Sequence, residues 1–579
     1  MSTRFINLLG SFQHPDTDGT VGREPAWPTP RWLPDSWEKP AEFFSSLLQE
    51  SEFVFGAPAK SHLEVGIDWY TDAVTRHLSR SARSPVMRSY DLAQGWQSLS
   101  LGALDAQAGT LAALLATRGA VPGDHIALVL PSGPLLAVAL LATLRLGGCA
   151  VLVLPLGSAY VSTLLAASKP QWVISSAPYT ALRGLMAYKP LLLHPNVLAG
   201  AAEPPPSATY APADHLLLVP SPLRPEGELT PVSAADAYAG ALRDGLLILG
   251  LRPGESLLAP PTPAHLPMTL LTALLCGACL VDLTPEAVGA DAAALLRGPA
   301  RAVLLPARLR DALASANAGP ARWGRWFRDP QEPFDPAASE LAEQRLRLSE
   351  MLHGNLVWDA AAGGAVLASS PRRGRIHPYV APVPGCRYKL VEPGGTGPAH
   401  AAVGQFMLLG AKEEPAGSPG AALLGRTGSS YMYAGMATPR RAGWAYPAAS
   451  ALAILVEARE ALGIVDAAVV EVASGGALGQ ALFVLVLFTG AAPVASCRLQ
   501  ACLELIDREL GAAAYADRAE VFALHPRRLG GDPSGPLDAA WVRAQYLSGE
   551  LHRKGRTPLY RELTRARDVV LSYCMQGVA

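Results

Sequence analysis

The chain has 579 residues, half of them hydrophobic and 17% charged, with a formal net charge of -1. That length exceeds one ordinary domain, and the composition is that of a folded rather than a disordered chain. The balanced charge leaves no electrostatic footprint for nucleic acid or for an anionic membrane surface.

Met1-Ser2-Thr3-Arg4 is not followed by an apolar signal core, and Pro15, Pro25, Pro28 and Pro30 come soon after. The most apolar stretches, such as Leu135 to Leu144, run for about ten residues and end in Arg145. A bilayer needs about 20. Seven cysteines, an odd number, point to a reducing compartment rather than a disulfide framework. A cytoplasmic protein with no membrane span is expected. Cys276 and Cys279 have C-x-x-C spacing but no second pair nearby, so they are read as small buried hydrophobes rather than zinc or redox ligands.

Residues 1 to 60 are rich in Pro and aromatics without a clear period and read as an extension that wraps a surface. From Trp96 the pattern changes. Leu101 to Thr117 has helical spacing, Pro122-Gly123-Asp124 makes a turn, and Ile126 to Leu130 reads as a buried strand. A helix over Leu135 to Leu146 ends at Gly147-Gly148, and Val151 to Leu154 is a strand closed by Pro155. The order then recurs: a turn at Pro253-Gly254-Glu255, a strand over Ser256 to Ala259, a helix over Met268 to Leu275 and a strand over Leu280 to Leu283. Two such units predict an α/β fold, a large domain of two packed, doubly wound parallel layers. After the break at Gly435 to Gly443 comes a small α+β domain. It has helices near Ala448 to Leu462 and Arg498 to Leu510, and strands at Ala467 to Val472, Ala481 to Phe488 and Glu520 to Leu524. The expected organisation is an extension at 1–60, a large domain at 61–434, a small domain at 435–545 and a tail at 546–579. A linker near Gly435 allows hinge motion, with a ligand cleft between the two domains. The tail, basic over Arg553 to Arg567 and apolar over Val569 to Met575, suggests a helix packed on the small domain.

Several short motifs recur in a fixed order. They are Leu104-Asp105, Pro122-Gly123-Asp124, Gly148-Cys149-Ala150-Val151, Cys276-Gly277-Ala278, Pro384-Gly385, Gly404-Gln405, Arg426-Thr427-Gly428, Gly443-Trp444 and Ser534-Gly535. In this order and spacing the chain resembles the adenylate-forming superfamily of acyl- and aryl-CoA synthetases, peptide-synthetase adenylation domains and luciferases. The resemblance runs over roughly residues 60 to 540, and the long extension is most similar to the acetyl-CoA synthetase branch.

The resemblance implies an ATP site, and its motifs read as degenerate here. The family's phosphate loop ends in Lys-Pro-Lys-Gly. Here Leu216 to Val219 is followed by Pro220-Ser221-Pro222-Leu223-Arg224-Pro225-Glu226-Gly227-Glu228. Prolines such as Pro222 remove amide donors, and Glu228 stands about where the Lys belongs. In comparable sites, losing one preorganised donor costs about 2.7–4 kcal/mol. The family's Tyr-Gly-x-Thr-Glu reads Trp358-Asp359-Ala360-Ala361-Ala362, so Ala362 replaces the magnesium carboxylate. Ser429 replaces the ribose-binding Asp. Met436 and Thr438 stand in the hinge motif, which lacks its Arg and Asp, and Pro536 replaces the catalytic Lys. ATP and magnesium are therefore not expected to bind.

Two readings from different classes follow. In the first, the protein moves an acyl or aryl group between coenzyme A and the phosphopantetheine of an acyl carrier protein, a nearly thermoneutral exchange that needs no ATP. His265 and His353 are the candidate bases, each with the alternative of a hydrogen-bonded wall histidine. Arg372, Arg373 and Arg375 are candidate contacts for CoA phosphates or an acidic carrier, with a solvated loop as the alternative. In the second, the fold is a non-catalytic scaffold or regulatory partner, with Trp27, Trp32 and Trp37 as candidate anchors. Association with a second copy is left open, as is ATP-dependent ligation through relocated residues.

Overall fold

The computed structural model describes residues 34–36, 38–155, 158–177, 185–200, 203–220, 229–262, 265–329, 336–374, 379–385, 388–391, 403–408, 422–427, 430–436, 466–473, 481–488, 518–524, 542 and 546–547. Among the described residues come first α1 (Pro40–Phe55) and α2 (Arg76–Ser81), then the hairpin β1 (Pro85–Asp91) and β2 (Gly95–Ser100), and α3 (Leu101–Thr117). Next come β3 (His125–Val129), α4 (Pro134–Leu146), β4 (Cys149–Leu152), α5 (Ser158–Ser168), β5 (Trp172–Ser176), β6 (Leu191–Leu193), α6 (Pro195–Leu198), β7 (His215–Pro220) and β8 (Leu229–Ser233). The second half of the large domain carries α7 (Ala234–Arg243), β9 (Ser256–Ala259), α8 (Met268–Leu275), β10 (Cys279–Asp282), α9 (Pro285–Arg297), β11 (Ala300–Leu304), α10 (Ala307–Ser315), β12 (Arg325–Arg328) and α11 (Pro336–Leu346). It continues into β13 (Leu352–Asp359), β14 (Gly364–Ala368), β15 (Tyr379–Pro382), β16 (Tyr388–Val391), β17 (Val403–Leu408), β18 (Ala422–Thr427) and β19 (Ser430–Met436). Further along lie β20 (Asp466–Ala473), β21 (Ala481–Phe488) and β22 (Arg518–Leu524).

Two large sheets carry the expected doubly wound layers. In the first, ordered β6-β5-β3-β4-β7-β8, every neighbouring pair is parallel except β7 with β8. The second has a parallel centre, β13-β12-β11-β9-β10-β1, edged by β2 and continued beyond β13 by antiparallel strands. Helix α4 shows how the layers join. Leu136 to Leu144 are all buried, because the helix lies in one apolar core with residues of both sheets, such as Ile126 of β3 and Leu280 of β10. A helix buried on every side reads as apolar all round. Pro134 starts it, and Gly147 in the left-handed region, φ 77°, stops it.

The predicted elements of the repeat are present, with β9 and α8 at their expected bounds and β3, β4 and β10 shifted by one or two residues. The strands expected at 467–472, 481–488 and 520–524 are β20, β21 and β22. The helices expected near 448–462 and 498–510 lie outside the described residues, as do Trp27, Trp32, Trp37 and the tail beyond Leu547. The extension differs from its reading as a stretch without period. Within it α1 buries Phe43, Leu47, Ser51 and Phe55, four residues apart, and its Phe43, Leu47 and Phe55 join the central core. The antiparallel run from β13 to β19 is also new relative to the sequence reading. Strand β19 carries Gly435 and Met436, while Thr438 lies outside the described residues.

Candidate functional site

Parallel strands bring their carboxyl ends to one edge of the sheet, where open α/β folds place ligands. At that edge of the second sheet is a small cavity. It is lined by His265 from the loop after β9, Leu304, Leu305 and Pro306 at the end of β11, Phe327 and Asp329 at the end of β12, and Leu356 and Trp358 of β13. The volume open to the centre of a water-sized sphere is about 10 Å³, room for about one water-sized group. Register places these residues together: Leu304 pairs with Phe327, and Phe327 with Gly354. Leu304, Phe327, Leu356 and Trp358 belong to the core shared with α4.

His265 is held tightly. Its backbone N–H donates to Thr262 O (3.0 Å), its carbonyl accepts from the Thr269 amide, and its Nδ1 shares a 2.7 Å hydrogen bond with Thr262 Oγ1. Burial lowers its pKa to about 4, so the ring is neutral at pH 7. A ring that weakly basic is a poor acceptor for a thiol proton and a good neutral hydrogen-bonding wall.

His353 is elsewhere. It lies five residues before Trp358 on β13, about 16 Å at ordinary strand rise, and on the opposite face. There it stacks on Trp326, with centroids 5.5 Å apart, in the second core cluster. The structure therefore does not join the two candidate histidines in one site. Arg372 sits beside His353 through a reciprocal backbone bridge, both N–H···O distances 2.9 Å, and Arg372 and Arg373 are exposed. The basic cluster thus belongs to the far end of β13, and Arg375 lies outside the described residues. Cys276 and Cys279 fall in different core clusters, and burial raises both thiols to about 12.

The turn Ala360–Ala362 joins β13 to β14 next to the cavity. Ala362 is half-buried in it and offers a methyl group. Between Trp358 and Gly364 the one carboxylate is Asp359, and among the described residues no cluster of three or more His, Cys, Asp or Glu side chains could hold a metal ion. The described part of this turn does not fit a magnesium ion, and no chemical step is routed through one. Pro222, Glu228, Ser429, Thr438 and Pro536 lie outside the described residues, and Met436 ends β19. Sequence reasoning reached His265 but not Thr262, Phe327, Asp329 or Leu356. Their signal was position: Thr262 and Asp329 follow parallel strands, and Phe327 and Leu356 lie within β12 and β13.

Helix α7 fixes the turn from behind. A methyl on Gly240 would collide with the backbone carbonyl of Gly363. Gly240→Ala is expected to cost about 2–3 kcal/mol, because the contact is backbone and cannot swing aside. A urea midpoint unchanged from wild type would show that the turn can give way.

This is a two-layer α/β scaffold with a cavity at its parallel strand ends. Residues 74–225 match the AMP-binding enzyme family. No curated protein matches the sequence significantly. Solved structures match its fold. A benzoate CoA ligase from Burkholderia xenovorans is 18% identical with a TM-score of 0.56, covering 82% of this chain and 100% of its own. An acetoacetyl-CoA synthetase from Streptomyces lividans is 15% identical with a TM-score of 0.58, covering 90% and 93%. An acyl-CoA synthetase from Brucella canis is 13% identical with a TM-score of 0.57, covering 87% and 99%. At these identities the likeness is one of fold. The sequence match is to residues 74–225, and over most of the chain the fold is that of acyl- and aryl-CoA ligases.

Proposed function

We propose that the protein binds an acyl or aryl group as its CoA or pantetheine thioester and passes it between the two carriers without making an acyl-adenylate. The observation that carries this reading is the Ala360–Ala362 turn, a row of methyl groups where the family places its metal carboxylate, set beside an intact strand-end cavity. The substitutions Glu228, Ser429 and Pro536 in the sequence point the same way. In the exchange, the pantetheine thiolate attacks the acyl carbonyl carbon, the bond to the CoA sulfur breaks, and the CoA thiolate takes up the proton. The bonds made and broken are alike, so positioning supplies what catalysis there is.

One observation favours the second reading, a non-catalytic acyl-binding partner. With a pKa near 4, His265 cannot generate the attacking thiolate at neutral pH. Two assays separate the outcomes. With a panel of carboxylic acids and ATP, the pure protein is expected to incorporate no labelled diphosphate into ATP. With acyl-CoA and a carrier protein but no ATP, mass spectrometry is expected to show acylated carrier. Binding without transfer selects the partner reading, and acid-dependent diphosphate exchange overturns both in favour of ATP-dependent ligation.

A further inference from the structure

We infer that the amino edge of the second sheet carries an oxyanion site, formed by Arg252, Arg301, Arg325 and Glu255, that takes inorganic phosphate and rejects sulfate. It stands apart from the acyl-thioester reading, because it lies at the starts of β11 and β12, whose far ends line the cavity. Arg325 opens β12, Arg301 is the second residue of β11, and Glu255 directly precedes β9. These three strands are neighbours, and register sets Ala300 against Ser256 and Ala302 against Arg325. Arg252 belongs to the turn leading into β9, where its carbonyl accepts from the Glu255 amide. The three guanidinium groups converge on one short stretch of backbone, at the end of the π-helical turn Asp244–Ile248 that follows α7. Arg325 Nη1 donates to Ile248 O at 2.7 Å, Arg301 Nε to Gly250 O at 2.8 Å, and Arg252 Nη1 to Leu251 O at 3.2 Å. Gly250, at φ 61°, lets Arg325 approach, since a Cβ there would stand 2.7 Å from Nη2.

Capping those carbonyls uses one donor of each arginine and leaves charge over. Arg325 is 8% exposed, and among the described residues its Nε has no hydrogen-bond partner. Glu255 Oε2 stands 3.7 Å from Arg301 Nε, too far for a hydrogen bond, and is likewise buried without a partner among the described residues. Burial lowers the Arg325 pKa, and the charges of Arg301 and Arg252 lower it further against an opposing pull from Glu255. Glu50 of α1 acts on Arg252 in the same sense as Glu255. Three guanidinium groups against two carboxylates leave one net positive charge, and the Arg301 and Glu255 side chains are part-exposed, so the cluster opens to solvent. One cluster thus holds an unused buried donor and an unused buried acceptor. Hydrogen phosphate satisfies both: its oxygens accept from the arginines, and its P–OH donates to Glu255, which as a carboxylate can only accept. Sulfate has no proton at neutral pH and would set an oxygen lone pair against that carboxylate. A phosphate monoester keeps its proton only below its second pKa of about 6.

Calorimetric titration of the full-length protein with inorganic phosphate, methyl phosphate and sulfate tests this. At pH 7.5 phosphate is expected to bind at least about tenfold tighter than sulfate, because a site that hydrogen-bonds a ligand's O–H rejects the analogue lacking it. Methyl phosphate should approach phosphate at pH 5.5 and fall behind it at pH 7.5, which separates the free ion from the phosphoryl group of a larger ligand. Arg301→Gln is expected to weaken phosphate by about tenfold or more, the loss of one charged hydrogen-bond donor. Glu255→Gln should bring phosphate and sulfate close together. The wild-type comparison needs no variant and so does not depend on how either one folds. Sulfate or methyl phosphate matching phosphate at pH 7.5, phosphate binding unchanged in Arg301→Gln, or no phosphate binding at all overturns the inference and leaves the acyl-thioester reading untouched.

Discussion

Replacing Asp244 with Ala is expected to destabilise the large domain by about 3–5 kcal/mol, the cost of removing one member of a buried ion pair. Asp244 is fully buried, and Arg243 is 5% exposed. Asp244 Oδ1 accepts from Arg243 Nε and stands 2.7 Å from the second guanidinium nitrogen, Oδ2 accepts from the Ala365 amide at 2.7 Å, and Arg243 donates in turn to the Ala365 carbonyl. The pair thus ties the end of α7 to the first residues of β14. Burial pushes the Asp244 carboxyl above its ordinary range, and the Arg243 charge pulls it back. Removing the carboxylate takes the Asp244 counter-charge from a buried guanidinium and leaves the Ala365 N–H without its acceptor. The double variant Arg243→Met, Asp244→Ala removes both charges and should recover much of the loss. Urea unfolding of the two variants checks this. If Asp244→Ala unfolds within about 1 kcal/mol of wild type, the lock is ornamental.

The lock also bears on the site. Strand β14 and the Ala360–Ala362 turn are held by α7 through Gly240, Arg243 and Asp244. The alanine turn is therefore a fixed part of the scaffold. A carboxylate introduced at Ala362 would have to work within that geometry.

How much of this was legible in the sequence depends on the length of the signal. The repeat of turn, strand, helix and strand was visible because α4 and α8 are apolar on every side and glycines stop them. Helix α1 was obscured because proline and aromatic composition masked a four-residue spacing of Phe43, Leu47 and Phe55. The antiparallel strands beyond β13 are short and most carry Gly or Pro, so alternation over four to seven residues does not stand out. His265 was reachable because the family resemblance places it near the acyl-pocket segment. Its partners were not, since Phe327 and Leu356 look like any core residues until register sets them side by side. His353 shows the opposite failure. Proximity in sequence to the Trp358 motif suggested a shared site, but an odd spacing along β13 turns it to the other face.

The second large effect concerns Asp282, where the expected sign is stabilising and depends on pH. It ends β10 with its side chain on the same face as Leu280, toward the core that holds α4, and it is 2% exposed. Ser132, just before the Gly133 cap of α4, is the polar neighbour that eases its charge in part, although among the described residues neither Ser132 Oγ nor Asp282 Oδ1 has a hydrogen-bond partner. Burial raises its pKa from 3.8 to about 7, and Ser132 offsets only part of that. The folded pKa exceeds the unfolded one, so the folded chain holds this proton more firmly. That stabilising contribution is complete below pH 3.8 and is lost as pH rises to about 7, above which the buried charge costs its full amount. A rise of that size sets an upper bound of about 4 kcal/mol on the cost. Asp282→Asn is isosteric and cannot ionise. It should lie close to wild type at pH 4 and be more stable by about 1–3 kcal/mol at pH 8, since water entering around the carboxylate lowers the bound. His77 and His265, both lowered to about 4 by burial, add the opposite slope between pH 6.5 and 4 in wild type and variant alike, so the difference between the two proteins isolates Asp282. Thermal midpoints at pH 4, 6 and 8 measure it. A gap that stays constant across that range would mean that the carboxyl is solvated or paired in the folded chain and that its raised pKa is not expressed in stability.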